Sequence, residues 1–134
     1  MKLLKTIPIL LIFFCLASQL AFAQPAEVVF EQYKEAVEQG NDGLYGSFAT
    51  QASVQKGYHK LSAGQRKAVL SCIKDNSYAV ENRTDNEAII TFSDSRNGKA
   101  NPYIFTKENG EWKIDFVEMS KRIVFDKNDK WRWR

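Results

Sequence analysis

Apolar residues recur at three- and four-residue intervals from Pro25 to Gln39, which is the spacing of one helix face. Proline suits the first helical turn, because the amide hydrogen that it lacks would have no acceptor there. Gly40 favours the left-handed conformation that commonly ends a helix. The pattern therefore predicts an amphipathic helix with an acidic outer ridge. Its apolar face comprises Val29, Phe30, Tyr33, Ala36 and Val37, and its ridge comprises Glu27, Glu31, Glu35 and Glu38.

Weaker helical signals follow between residues 41 and 74. Asp42 is placed to cap a short helix through Phe48, whereas residues 49–61 show no clear period and are expected to be irregular or weakly helical. Ser62 and Gln65 have the spacing of a capping box, in which each side chain binds the backbone amide of the other residue. We expect a helix from that box to about Lys74.

The apolar period changes to two after residue 76, which indicates β-strands. Two alternating segments flank a turn at 84–86, and a polar loop at 94–101 leads to a third strand at 102–107. The second half of the chain is therefore predicted to form a sheet. The alternating apolar residues of the first two strands are Tyr78, Val80, Ala88, Ile90 and Phe92.

Asn109 and Gly110 separate two alternating segments and give the strongest local signal in the chain. Both residue types accept positive φ, which the common two-residue hairpin turn requires at both positions. We therefore predict a hairpin whose second strand runs from Trp112 to Val117. Residues 123–125 are expected to form a further strand, and a turn at 128–129 leads back into a last strand at 131–134.

Residues 1–23 have the organisation of a bacterial signal peptide, with two lysines, an apolar segment and small residues before the cleavage position. An uncleaved membrane anchor is the alternative, but the apolar segment is short for a bilayer and contains Pro8 and Gln19. Cleavage after Ala23 leaves residues 24–134 as a single domain, secreted or periplasmic. Cys72 is then the only cysteine, which excludes an intramolecular disulfide, and its apolar neighbours favour a buried, inert thiol.

Charge is distributed unevenly along this domain. Without the leader the chain holds 17 basic and 16 acidic residues, a net charge of +1. Residues 24–50 carry a net charge of −4, and residues 121–134 carry a net charge of +4. Such polarity suits steering toward a charged partner, pairing of the two ends within one molecule, or simply two solvated faces.

The order of elements and one motif resemble the nuclear transport factor 2-like superfamily. The aromatic-rich first helix closes at Gly40-Asn41-Asp42, and residues 107–114 are similar to the "NG-x-W-K-I" hairpin of that superfamily. The resemblance spans roughly residues 25–118. It implies an α+β fold in which N-terminal helices pack on a strongly curved antiparallel sheet, the cystatin-like cone. Members include enzymes, non-catalytic secreted domains and immunity proteins that neutralise toxins, so the fold alone implies no chemistry.

Residues for catalysis in such a cone are sparse. Tyr78, Tyr103 and Glu118 are the candidate pocket residues, because strand phase directs them toward the cone interior. Asp115 has the opposite phase and is expected to lie outside. His59, the only histidine, is expected in a surface loop, and no metal-ligand cluster, cofactor motif or catalytic constellation is recognisable. We therefore assign no catalytic residue, no cofactor and no metal.

The basic, aromatic segment 121–134 is the least ordinary part of the sequence. It ends in Lys130, Trp131, Arg132, Trp133 and Arg134, which combine the residue types that dominate protein interfaces. Two interpretations stay open. Either these five residues bind a partner, or they form a last edge strand whose tryptophans cover the sheet and whose arginines pair with the acidic first helix.

The sequence therefore favours a non-catalytic exported binding domain with a protein partner, in its sharpest form an immunity protein that sequesters a toxin. One alternative is a small cone-pocket enzyme that uses Glu118 or His59 with a tyrosine. Another is a cone cavity that binds a small apolar metabolite without turnover. Near-neutral charge and export argue against nucleic acid, and the C-terminal segment is too short for stable membrane insertion. A homodimer is left open.

Overall fold

The computed structural model describes residues 23–134, so the predicted signal peptide lies outside the described residues. Four α-helices, one 3-10 helix and six strands make up this part of the chain. In chain order they are α1 (Ala26–Gln39), a 3-10 helix (Asp42–Phe48), α2 (Gln51–Lys56), α3 (Ala63–Ile73), β1 (Tyr78–Thr84), β2 (Glu87–Phe92), β3 (Tyr103–Glu108), β4 (Glu111–Ile114), α4 (Phe116–Arg122), β5 (Ile123–Phe125) and β6 (Trp131–Trp133).

Strands β1 to β4 form an antiparallel sheet in sequential order, and β5 pairs with β6 in a separate two-stranded sheet. This arrangement confirms the α+β class. Neither sheet is strongly curled, so the strong curvature expected of a cone is not confirmed. The turn at Asn109 and Gly110 has φ values of 52° and 79°, which confirms the predicted hairpin.

Helix α1 forms where the periodicity predicts it and packs on one face of the four-stranded sheet, which we call the inner face. Gly40 ends the helix at φ 67°, and its amide binds the carbonyls of Ala36 and Val37. All five predicted core residues of α1 are buried. The inner face contributes Ala88, Ile90, Tyr103, Phe105 and Ile114 to the same core.

The opposite, outer face of the sheet is covered by the C-terminal part of the chain. Ile89 and Ile104 pair across β2 and β3 and are fully buried, although their neighbours along each strand face α1. Helix α4 packs on β3, and its Val117 is buried together with Ile123 of β5. Helix α4 also reaches the core on the inner side, because the ring centre of its Phe116 lies 6.1 Å from that of Tyr33 in α1.

The prediction that a strand runs from Trp112 to Val117 is wrong beyond Ile114. Asp115 instead caps α4, because its Oδ1 accepts the Glu118 amide at 3.0 Å, and its Oδ2 accepts the Thr106 hydroxyl at 2.7 Å. Asp115 meets Thr106, which shares the outer face of the sheet with Ile104, so it lies outside the inner face as predicted but is only 9% exposed. A strand-like alternation of apolar residues thus conceals a helix that starts at a capping aspartate.

One further local prediction needs correction. Asp42 does not cap the 3-10 helix, which begins after Asn41 without a side-chain cap. Residues 51–56 of the segment expected to be irregular or weakly helical form α2, capped by the Thr50 side chain. The capping box of α3 is confirmed, because both reciprocal bonds of Ser62 and Gln65 are present.

Candidate functional site

The C-terminal hairpin is an integral part of the domain. Its strands pair Ile123 with Trp133 and Phe125 with Trp131. The Trp131 amide donates to the Gly98 carbonyl at 2.9 Å, which ties β6 to the 94–101 loop. The predicted last strand is therefore confirmed.

The turn of the hairpin is organised by one carboxylate. Asp126 Oδ1 accepts the amides of Lys130 at 3.0 Å and Asn128 at 2.8 Å. These two hydrogen bonds lower the pKa of the Asp126 carboxyl, and the nearby Lys130 and Arg132 charges add to the effect. The carboxylate is therefore ionised at neutral pH and fixes the start of β6.

The hairpin presents two chemically different faces. Cross-strand partners share a face, so Phe125, Trp131 and Trp133 lie together with the buried Ile123. Within this aromatic face Phe125 is 54% exposed and Trp133 is 38% exposed. The other face is basic and exposed to solvent. We call its three cations, Lys130, Arg132 and Arg134, the basic row.

Trp133 lies among cations from two other elements. The guanidinium of Arg83 lies 6.0 Å from its ring centre, and that of Arg122 lies at 5.8 Å. Trp131 packs edge-to-face against it at 5.6 Å. Arg122 also forms an ion pair with Glu87 on the outer face of the sheet. The hairpin thus carries an aromatic surface within a cationic rim.

The expected pairing of the C-terminal arginines with the first helix is not found. Within residues 23–134 no ion pair joins Arg132 or Arg134 to a carboxylate. The C-terminal residues therefore form the predicted last strand, but their arginines do not pair with the acidic first helix.

The three candidate pocket residues are not brought together in one pocket. The Tyr78 hydroxyl donates to Glu31 at 2.6 Å in an open groove beside α1. Burial raises the pKa of Tyr78, and the carboxylate of Glu31 raises it further. Glu118 belongs to α4 and pairs with Lys121 at the surface, so its predicted strand phase is wrong.

Tyr103 lies inside the domain, where aromatic side chains fill the space between α1 and the sheet. Burial raises its pKa well above the ordinary value, and the neighbouring Tyr33 adds to the effect. Tyr33 also contacts Tyr45, with ring centres 6.2 Å apart. The Tyr45 hydroxyl is buried without a hydrogen-bond partner among the described residues. This part of the interior is a packed core with one unsatisfied polar group.

Another opening, larger than the groove beside α1, lies between α3 and the hairpin. This groove has a volume of about 610 Å³, and Val69, Cys72, Tyr103 and Phe125 contribute to its walls. The Cys72 thiol is half-buried, 3.6 Å from the carbonyl of Lys99, so it is less enclosed than the sequence predicts. We call this opening the α3 groove.

His59 lies in the turn after α2, half-buried against Gly46. Its Nδ1 has no hydrogen-bond partner within the described part of the chain. In residues 23–134 no group of histidine, cysteine or carboxylate side chains is arranged to hold a metal ion. Likewise, none of the helices described there is both long and apolar enough to cross a membrane.

Comparison with known proteins identifies no relative: no family model, curated protein or solved structure matches the chain. The candidate site therefore depends on geometry alone. Sequence reasoning identified the basic row and the two tryptophans but missed Phe125, Arg83 and Arg122. Phe125 could have been found by counting back across the turn at 128–129, which places it opposite Trp131. Arg83 comes from a distant segment and gave no local signal, whereas Arg122 directly precedes β5 and belongs to the basic segment 121–134.

Proposed function

We propose that this chain is a non-catalytic, exported domain that binds a protein partner through its C-terminal hairpin. One observation carries the proposal: Phe125 and Trp133 stay exposed, and the guanidinium groups of Arg83 and Arg122 lie 6.0 and 5.8 Å from the Trp133 ring centre. Exposed aromatic residues next to arginines are the side chains that contribute most to protein interfaces. Export, to the periplasm or the medium, is supported by the organisation of residues 1–23.

The proposal includes membership of the nuclear transport factor 2-like superfamily and a cone-like fold. Helices followed by a four-stranded antiparallel meander, with a hairpin turn at Asn109 and Gly110, support this assignment. An immunity protein that sequesters a toxin is its sharpest form. The toxin would then present an acidic surface with apolar residues at its centre, to complement the hairpin.

The test is capture of a partner by residues 24–134, which contain all the helices and strands described, from envelope and secreted fractions of the source organism. Deleting residues 130–134 would remove β6, so a point substitution is preferable. Phe125→Ser removes the most exposed aromatic side chain, and Val54→Ser is the matched control because Val54 is an exposed apolar residue on α2.

A stoichiometric protein retained by the wild type and by Val54→Ser, but lost by Phe125→Ser, supports the proposal. Binding is then measured with the purified pair. Retention of that protein at equal yield by Phe125→Ser, or no capture by the wild type, contradicts it. Circular dichroism of each variant establishes that the fold is retained.

The α3 groove supports a second candidate function, the binding of a small apolar molecule. Its walls combine Val69 and Phe125 with the Cys72 thiol, and its volume of about 610 Å³ is in the range of ligand pockets. The dye anilinonaphthalene sulfonate is the probe. Val69→Trp, which fills the groove, should abolish dye fluorescence that the wild type enhances. Equal enhancement by both proteins, or none by the wild type, would exclude this candidate.

A further inference from the structure

Two surfaces of opposite charge belong to different elements of this molecule. The acidic ridge of α1 is formed by Glu27, Glu31, Glu35 and Glu38, and the basic row belongs to the hairpin. Helix α1 covers the inner face of the sheet, whereas Arg122, which directly precedes β5, pairs with Glu87 on the outer face. Within residues 23–134 no ion pair joins the two surfaces.

Neither surface is neutralised by its own chain. In residues 23–134 the ridge has a single ion pair, between Glu31 and Lys34 at 3.0 Å, and the basic row has none. Asp126 lies near the basic row, but its Oδ1 is engaged by two backbone amides of the hairpin turn. Three carboxylates and three cations thus face solvent without an ion-pair partner.

The spacing of the two charge sets matches. Glu27, Glu31 and Glu35 follow one another at four-residue steps, which in an α-helix is about 6 Å per step. The basic row follows at two-residue steps, which along an extended strand is about 6.7 Å per step. Three successive cations can therefore lie opposite Glu27, Glu31 and Glu35 when a strand lies along the helix, with Glu31 also bound by Lys34 and Tyr78 of its own chain.

The surface beside the acidic ridge has room for an extended strand. An open groove of about 490 Å³ runs along α1, and its walls include the ridge carboxylates, Val28 and Tyr78. Val28 is 37% exposed, which provides an apolar contact between the charges. The net charge of residues 24–134 is only +1, so overall repulsion between copies is small.

We propose that the basic row of one copy docks on the acidic ridge of a second copy. The contact joins two different surfaces, so the arrangement is head-to-tail. However many copies join, one end of the assembly keeps a free ridge and the other end keeps a free basic row. Assembly of this kind depends on concentration and is weakened by salt, because exposed ion pairs are screened. The inference goes beyond the proposed function, since it requires no foreign protein.

The test is sedimentation equilibrium of residues 24–134 over a range of concentrations, at about 0.02 M and about 0.3 M NaCl, where screening differs strongly. We expect the average mass to rise with concentration at low salt and to return to the monomer at high salt. A monomeric wild type at every concentration in low salt overturns the proposal.

Charge reversal locates the contact. Arg132→Glu with Arg134→Glu should weaken association about tenfold or more, because like charges then face each other. Lys60→Glu with Lys67→Glu changes the net charge equally at exposed positions that belong to neither surface, and should weaken association much less. Equal effects of the two double variants would mean that only net charge matters, and would overturn the proposal.

Mixing provides a test that misfolding cannot imitate. Glu27→Lys with Glu35→Lys gives a basic ridge, so this double variant alone should stay monomeric. Mixed with the double variant of Arg132 and Arg134, it should restore association, since each reversed surface then meets its complement. Failure of the mixture to associate overturns the proposal. The capture of a different protein through Phe125 is measured in a separate experiment, and its outcome does not depend on whether the two double variants associate.

Discussion

Asp115 connects the end of β4 to the start of α4, and its replacement by alanine tests this junction directly. The carboxylate accepts one hydrogen bond from the Glu118 amide and one from the Thr106 hydroxyl, and the residue is 9% exposed. Loss of a helix N-cap costs about 1 kcal/mol. Loss of the bond from the half-buried Thr106 hydroxyl costs about another 1 kcal/mol. We therefore expect Asp115→Ala to lower the free energy of unfolding by about 2 kcal/mol.

Two comparison variants separate these contributions. Asp115→Asn retains an oxygen for the Glu118 amide, and its NH2 group faces a Thr106 hydroxyl that can rotate to accept. Its cost should stay below about 1 kcal/mol. Ser62→Ala removes the exposed cap of α3 alone and should cost about 1 kcal/mol, between the two.

Urea denaturation at pH 7, followed by far-ultraviolet circular dichroism, measures all three variants. A change of less than about 0.5 kcal/mol for Asp115→Ala would be typical of an ordinary surface position and would refute its role as a buried cap. An asparagine variant as unstable as the alanine variant would show that the negative charge matters, rather than the hydrogen-bond geometry.

Three other predictions concern the core and one surface pair. Tyr45→Phe should leave the unfolding free energy within about 0.5 kcal/mol of wild type or raise it, because the lost hydroxyl has no partner in the described residues; a loss of more than about 1 kcal/mol in urea denaturation would contradict the assignment. Partial burial alone would raise the pKa of Glu31, but hydrogen bonds from Tyr78 and a lysine hold it below its ordinary value. The resulting stabilisation is present above the unfolded pKa and lost as pH falls through the folded one, so Tyr78→Phe should raise that pKa in a carboxyl NMR titration; an unchanged pKa would disprove the link. Ile104→Ala should cost about 2–5 kcal/mol in urea denaturation, as expected for a filled outer face, and a cost below about 1 kcal/mol would indicate that α4 does not cover it.

Local signals predicted the elements whose structure is decided locally. The apolar spacing of α1, the capping box at Ser62 and the turn at Gly110 each depend on residues within a few positions of one another. Helix α4 was missed because Ile114 and Phe116 alternate as in a strand. The cap bond itself is local, since Asp115 accepts the amide of Glu118 three positions on, and a hydrogen bond from Thr106 of β3 also holds the carboxylate.

The candidate site could be predicted only in part for the same reason. The basic row and the tryptophans are adjacent in sequence, so their alternation predicted a strand with two faces. Arg83 and Arg122 reach Trp133 from β1 and α4, and only tertiary packing brings them there. Glu118 and Tyr78 were placed in a pocket by strand phase, which failed where the chain becomes helical and where a hydroxyl binds a surface carboxylate.

The edge-to-face contact between Trp131 and Trp133, with ring centres 5.6 Å apart, gives the hairpin an optical signature of its own. Two indoles held this close couple their electronic transitions, which produces an exciton couplet in circular dichroism that depends on their mutual angle. The third tryptophan, Trp112, lies on β4 beneath Lys107 and takes no part in the pair. The couplet should therefore report detachment of the hairpin while the backbone signal of the core stays unchanged.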